Sequence, residues 1–380
     1  MQLDRVRLTL LSAPLSEPVR MSFSQLESRD MVVVELEAEG HVGVGESWVN
    51  YPAWAARERM VTLERGIVPL LVGRDVSDPE RLQAELWQQL AGPVRQGGAP
   101  GPVWQALSAI DLAVWDLLAR RAGVSVARLL GGHGERFHVE AYASGIGPSD
   151  VETYCRLALE RGFTAVKTRV GFDREQDERT LAATREAVGD DVAVYADANQ
   201  AWDVAEAADF CTWAAPYRIG WLEEPVAGNR IEDLVALAGR VDVPLACGEN
   251  LYGADEFDRY LDARVIDLIQ PDLTKSGGFS LVGRVGRRLP AGVHLVPHCY
   301  GGALVTAASV QLAAASPRVP YIELDARPNP LRDEILCTPL TIADGRVTVP
   351  DGPGLGVELD QDALEKYVVD RKDCDLHAVV

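Results

Sequence analysis

Positive charge is scarce in this chain of 380 residues: 37 Lys and Arg stand against 57 Asp and Glu, a formal net charge of −20. Nucleic acid and anionic membrane surfaces both demand basic patches, so the imbalance excludes them as partners. A small anionic substrate would need a metal ion and a few local cations. No apolar run approaches the roughly 18 uninterrupted residues of a membrane-spanning helix. The opening Met1-Gln-Leu-Asp-Arg5 lacks a basic segment leading into an apolar core, the mark of a secretory leader. A soluble cytoplasmic protein is the expectation. The six cysteines (Cys155, Cys211, Cys247, Cys299, Cys337 and Cys374) form no Cys-x-x-Cys pair, and no His stands at zinc-finger spacing. Buried or incidental thiols in a reducing compartment are expected.

What is present is ordinary globular material, 47 % apolar and 25 % charged, enough for a large core. The length suits one α/β barrel of about 250 residues plus a smaller domain. Val6–Leu11, Met31–Ala38 and His41–Glu46 read as three strands of an antiparallel meander, with Ser12–Arg29 a polar connection too long for a tight turn. The loop Ser47–Trp54 carries two Trp and a Tyr. Helical periodicity follows over Ala55–Leu71, Pro79–Leu90 and Val103 to about Gly123. In the last of these, Asp111, Trp115 and Asp116 read as packing and capping residues. Beyond Leu129-Leu-Gly-Gly132, eight strand candidates alternate with helices: His138–Ser144, Ala165–Val170, Val192–Asp197, Gly220–Glu224, Leu245–Glu249, Val265–Asp272, His294–His298 and Tyr321–Asp325. This is the order of a (β/α)₈-type barrel, with Arg327-Pro-Asn-Pro330 breaking the last helix. Two short strands at Leu340–Ile342 and Val347–Val349 and the loop Pro350–Gly356 are expected to pack back on the N-terminal domain.

Three consecutive barrel strands close on acids, Asp197, Glu223 and Glu249, spaced 26 residues apart. One acid after a strand is ordinarily a helix cap, as Asp203 and Asp233 are expected to be. Three at equal spacing, each inside an apolar run, point instead to the barrel mouth where strand ends converge. Oxygen-only ligands favour a hard divalent ion, Mg²⁺ before Ca²⁺. Glu224 is expected to point away, since adjacent strand residues face opposite sides. Lys167 and Arg169, two apart on the second strand, both face the mouth and can hold an anion. Asp272 and His298 end neighbouring strands, the arrangement that orients one imidazole tautomer. Glu323 lies in the eighth strand. Lys275 either reaches the mouth or hydrogen-bonds carbonyls in its own loop.

The set Lys167-x-Arg169, Asp197, Glu223-Glu-Pro, Gly-Glu249, Asp272, His298 and Glu323, behind the helix Ala106–Asp116 and Leu-Leu-Gly-Gly132, resembles the mandelate racemase subgroup of the enolase superfamily over essentially the whole chain. The resemblance implies a modified TIM barrel, (β/α)₇β, over residues 131–326. It also implies an α+β capping domain over 1–130, completed by a C-terminal segment, 327–380. It further implies Mg²⁺ on Asp197, Glu223 and Glu249, a small carboxylate substrate and a homo-oligomer. The chemistry implied is removal of the proton next to a carboxylate. The enediolate would be stabilised by Mg²⁺, Lys167 and a hydrogen bond from protonated Glu323. Arg169 departs from the Lys common at its position. Guanidinium is a poor base and a good carboxylate clamp, which weakens a two-base racemase and favours β-elimination through His298. The tail segments Asn329–Glu334 and Val349–Gly356 resemble those of sugar-acid dehydratases and sugar-lactone cycloisomerases. A dehydratase is the leading expectation. The alternatives are a cycloisomerase, a racemase or epimerase of a hydroxy or amino acid, and a barrel that binds metal without catalysis. Either His298 or Lys167 is the base. Trp48, Asn50, Tyr51 and Arg20, on the two N-terminal loops, are the expected substrate contacts.

Overall fold

The computed structural model describes residues 1–134 and 136–376. An antiparallel sheet opens the chain: β1 (Arg5–Arg20), β2 (Gln25–Ala38) and β3 (His41–Ser47). The segment expected to be a polar connection is instead a hairpin. β1 and β2 pair as far as Arg20↔Gln25, with the register shifting between Pro14 and Val19, and Met21 N–H closes the turn on Ser24 O at 2.8 Å. Alternating exposure on a sheet overhanging a mouth makes such strands polar, which hid them in the sequence.

Helices α1 (Ala55–Val61), α2 (Val68–Leu71), α3 (Pro79–Gly97), α4 (Pro100–Ala122) and α5 (Val126–Leu129) complete the cap, with a π-helical stretch at Thr62–Ile67. α4 lies directly on β3 because the strand carries Gly43 and Gly45. A Cβ at these positions would stand 2.2 Å from Ala113 O and 2.1 Å from Ala109 O. The polar residues of α4 tie it to other elements. Asp116 accepts from Val44 N–H at 2.8 Å and Leu355 N–H at 2.6 Å, Asp111 accepts from Ser280 N–H at 3.0 Å, and Trp115 Nε1–H donates to Ser280 Oγ at 3.0 Å.

The barrel strands are β4 (His138–Ile146), β5 (Ala165–Arg169), β6 (Ala193–Asp197), β7 (Ile219–Glu223), β8 (Leu245–Cys247), β9 (Leu268–Ile269), β10 (His294–Leu295) and β11 (Tyr321–Asp325). They pair in parallel from β4 to β10, and β11 returns beside β4. Between them run α6 (Val151–Glu160), α7 (Arg174–Val188), α8 (Val204–Ala214), α9 (Ile231–Ala238), α10 (Gly253–Ala263), α11 (Gly278–Arg288) and α12 (Ala303–Ala315). Seven strand-helix units and a final strand make this a (β/α)₇β barrel. Tyr142, Trp221, Ala246, Leu268 and Val296 fill its interior, with Tyr195 stacked on Trp221, so the barrel is a packed floor beneath the mouth.

The tail divides between the two layers. After α13 (Pro330–Asp333), β12 (Ile342–Ala343) and β13 (Arg346–Thr348) form a hairpin whose second strand pairs with β4 of the barrel, not with the cap as expected. The loop at 350–356 does reach the cap, where Gly354 O accepts from Val126 N–H at 2.7 Å. After α14 (Gln361–Glu365), β14 (Val368–Asp375) adds to β1 as the cap's edge strand, the C-terminal segment reaching the cap as the resemblance implied, although the sequence had not marked a strand there. Among the described residues no helix is long and apolar enough to cross a membrane.

Candidate active site

The strand ends, the β1–β2 turn and the loop after β3 enclose a cavity of about 430 Å³, within the usual range for small-molecule sites. Its lining includes Lys167, Arg169, Asp197, Glu249, His298 and Glu323. Glu223 lies just beneath, buried and fully engaged: Oε1 is 2.6 Å from Lys167 Nζ, and Oε2 accepts from Gln270 Nε2 at 2.6 Å and Trp221 Nε1 at 3.3 Å. Lys167 Nζ also stands 3.0 Å from Glu323 Oε1 and 3.7 Å from Asp197 Oδ2. Burial opposes its charge, but Glu223, Glu323 and Asp197 outweigh that and hold the ammonium well above its ordinary pKa.

His298 is held from both sides. Nδ1 lies 2.7 Å from Asp272 Oδ2 and Nε2 lies 2.5 Å from Glu249 Oε2. Asp272 is completely buried, its other oxygen accepting from Thr274 N–H and Oγ1–H, both at 2.6 Å. Burial works against a charged ring, but Glu249, Glu323 and Asp272 raise it well above the ordinary histidine value. Glu323, expected as a protonated donor to the enediolate, is balanced between burial and two cations. Burial pushes its carboxyl up, yet Lys167 and His298 bring it below the ordinary value, and Oε2 accepts from Cys299 N–H at 2.9 Å.

Asp197, Glu223 and Glu249 come from adjacent strands as expected, but each is closed on a cationic side chain. Among the described residues no three His, Cys, Asp or Glu stand gathered as a metal cluster. The donor set nonetheless fits a hard divalent cation. Burial raises the Glu223 carboxyl to about 7, with Asp197 and Glu323 adding to the rise against the pull of Lys167, and burial with Glu249 likewise raises Asp197. Positive charge placed among them relieves that repulsion. Glu224 does not point away. The strand ends at Glu223, and Glu224 takes a φ of +39°, which breaks the alternation and turns its side chain into the cavity wall. There it accepts from Asn250 Nδ2 at 2.9 and 3.1 Å and Gln200 Nε2 at 3.1 Å.

Arg169 is buried with Nη1 3.4 Å from Gly145 O, its guanidinium over the Tyr300 ring. Of the expected substrate contacts, Trp48 and Tyr51 line the cavity. Asn50 sits behind it, Nδ2 donating to Tyr300 O at 3.4 Å. Arg20 turns outward over Phe172, and its hairpin neighbours Met21 and Phe23 line the mouth instead. Lys275 reaches the cavity, donating to Asn250 Oδ1 at 2.8 Å, with its Nζ 4.8 Å from the Trp48 ring centre. Gln105, Asn199, Asn250, Tyr252 and Tyr300, which sequence reasoning missed, also line it. Of these, Asn250 and Tyr300 lie one and two residues beyond strand-end landmarks and were within reach of the same argument; Gln105, on a cap helix, was not.

Two family models match the chain: "Mandelate racemase / muconate lactonizing enzyme, N-terminal domain" over residues 5–131 and "Enolase C-terminal domain-like" over 150–363. D-galactarolactone cycloisomerase of Agrobacterium fabrum is 34 % identical, the match covering 97 % of this chain and 99 % of that one. Arabinonate dehydratase of Saccharolobus solfataricus is 31 % identical, covering 89 % and 90 %. The crystal structure of a racemase from Streptomyces coelicolor with bound magnesium superposes with a TM-score of 0.86 at 27 % identity, covering 97 % of this chain and all of that one. With both halves matched by their family models and the strand-end residues gathered at one mouth, the chain belongs to the mandelate racemase and muconate lactonizing enzyme family of the enolase superfamily.

Proposed function

We propose that this protein is a Mg²⁺-dependent sugar-acid dehydratase: it removes the proton α to a carboxylate and expels the β-hydroxyl as water. The observation that carries this reading is the His298 imidazole, fixed by Asp272 and facing the same cavity as Lys167 and Glu323, above three converging carboxylates. Asp197, Glu223 and Glu249 would hold the cation, which when bound supplies Lewis-acid stabilisation of the carboxylate oxygens. Lys167 is held cationic by its neighbours and stabilises charge on the same oxygens. With Glu249, the largest influence raising the ring, turned to the cation instead, His298 would be free as a neutral imidazole oriented by Asp272 to take the α-proton and return a proton to the departing hydroxyl. Arg169 is a clamp, buried and permanently charged, without a partner base. This disfavours a racemase, which needs a base on each face of the substrate.

A second reading is favoured by the cycloisomerase relative, matched over nearly its whole length. Lactone opening by β-elimination starts with the same proton and differs in the group expelled, a ring oxygen in place of hydroxide. One experiment separates the two: aldonic acids, aldaric acids and their lactones incubated with protein and Mg²⁺ in D₂O and followed by NMR. Exchange with a free acid and formation of its 2-keto-3-deoxy product supports the dehydratase. Turnover restricted to lactones assigns the cycloisomerase, and exchange without elimination reinstates a racemase or epimerase. Absence of exchange with every acid leaves the non-catalytic barrel.

A further inference from the structure

Arg59, on α1 of the cap, is 1 % exposed, and its Nε and Nη1 have no hydrogen-bond partner among the described residues. Burial lowers its pKa only to about 10, so it carries a full charge near neutrality. A buried guanidinium with open donors is costly unless its charge is put to use. Its one hydrogen bond runs from Nη2 to Gln105 Oε1. Arginine can only donate, so the Gln105 amide is forced to present its oxygen to Arg59 and its NH₂ the other way. That NH₂ donates to Tyr252 OH at 3.3 Å. The phenol is therefore an acceptor toward Gln105, and its own hydrogen is left for a further acceptor. Gln105 and Tyr252 both line the cavity, and so does Lys275, 3 % exposed, its ammonium between Asn250 Oδ1 and the face of Trp48.

The wall thus offers the cavity a phenol hydrogen without a partner beside an ammonium. Of the neighbouring carboxylates, Glu224 is engaged by Asn250 and Gln200, while Glu249 is closed on His298 and Asn250 and stands 3.8 Å from Lys275 Nζ, so that neither touches Tyr252 or Gln105. The wall also has a definite place on the mouth. Lys275 follows β9, while Lys167 and Arg169 end β5, and in an eight-strand barrel those strands are four apart, on opposite sides of the opening.

Resting on the sugar-acid reading above, the geometry points to a second anion subsite: Tyr252, Gln105 and Lys275 bind a distal anionic group of the substrate, with Arg59 positioning Gln105 and through it Tyr252. The preferred substrate is then a dianion, a sugar acid carrying a carboxylate or a phosphate at the end remote from the reacting carboxylate.

The test is equilibrium binding by calorimetry with Mg²⁺ present, using three ligands of one stereochemical series: the aldarate, the aldonate with a terminal CH₂OH, and the aldonate phosphorylated at that terminus. α-Proton exchange in D₂O is followed on the same ligands. The wild type is expected to bind one of the dianions about 10- to 100-fold more tightly than the aldonate, the range for charge-assisted hydrogen bonds. Which dianion is preferred assigns carboxylate or phosphate. Tyr252→Phe, which keeps the ring and removes the donor, should reduce the dianion-to-aldonate affinity ratio about tenfold, and Gln105→Met should reduce it similarly with little change in thermal stability. Equal affinity for all three ligands, or an unchanged ratio in both variants, overturns the subsite. Loss of exchange with every ligand while the dianion preference persists overturns the reaction and leaves the subsite standing, so the two failures are distinguishable.

Discussion

Only four of the 37 basic residues are lysine, and two of those four, Lys167 and Lys275, are buried in the cavity, while Lys366 and Lys372 lie in the tail. A compact ammonium fits among the oxygens of Glu223, Glu323 and Asp197, where a planar guanidinium would not. The carboxylates were legible in the sequence because strand ends are marked by where apolar runs stop. Glu224 was misread because a positive φ is invisible there, and the cations that fold against Glu323 were no more visible. Two predictions belong to this scale. Glu223→Gln removes one charge of the proposed metal set. Its Mg²⁺ affinity by titration calorimetry should fall about tenfold or more with the circular dichroism spectrum unchanged, and undiminished affinity would take Glu223 out of the set. His298→Asn should abolish both α-proton exchange in D₂O and product formation, while Lys167→Ala should lose about 100-fold or more in turnover through lost charge. Exchange that survives in His298→Asn without product would make Lys167 the base and His298 only the acid.

Between cap and barrel the join is made at helix ends. Glu46, at the end of β3, accepts from Gly302 N–H at 2.7 Å and Val305 N–H at 2.9 Å, so a cap residue caps the first turn of α12. A Cβ at Gly301 would stand 2.5 Å from Glu46 Oε1, which is why glycine follows Tyr300. The sequence showed β3 and α12 but not their meeting, because contacts between distant elements leave no periodic trace. Burial, with Asp272 adding, raises the Glu46 carboxyl to about 7 against the backbone N–H groups of Gly302, Val305 and Leu304 that lower it. The folded value lies above the unfolded one of about 4.3, so between these pH values the native state binds more protons and stability falls as pH rises. Glu46→Gln removes that titration. Measured by thermal unfolding, the variant should be the less stable protein at pH 5 and gain on the wild type as pH approaches 8. A difference in melting temperature that stays constant across this range would show that Glu46 does not titrate there.

The whole molecule is two layers joined at the mouth, and the C-terminal segment serves both: β13 extends the barrel sheet at β4, and β14 closes the edge of the cap sheet at β1. That β14 is a strand was not legible, since it is half-buried to exposed throughout, largely charged, and carries no apolar alternation. Its contribution is instead the backbone ladder from Arg5↔Asp375 to Leu11↔Val368 and the burial of Leu376 beyond it. Truncation after Tyr367 would leave β1 an open edge with a row of unpaired N–H and C=O groups. β1 continues to Arg20, so loosening its first half should spread along the hairpin to Met21 and Phe23, which line the cavity. Hydrogen exchange should then become about tenfold faster or more over Arg5–Leu11 and at the hairpin turn, with β5, β6 and β7 keeping their protection because β14 pairs with none of them. KM for a sugar acid should rise more than kcat falls, since the proposed acid-base residues stand on the barrel and the hairpin only covers them. Equal loss of protection in cap and barrel would mean that the two layers unfold as one unit and that the tail stabilises the mouth itself.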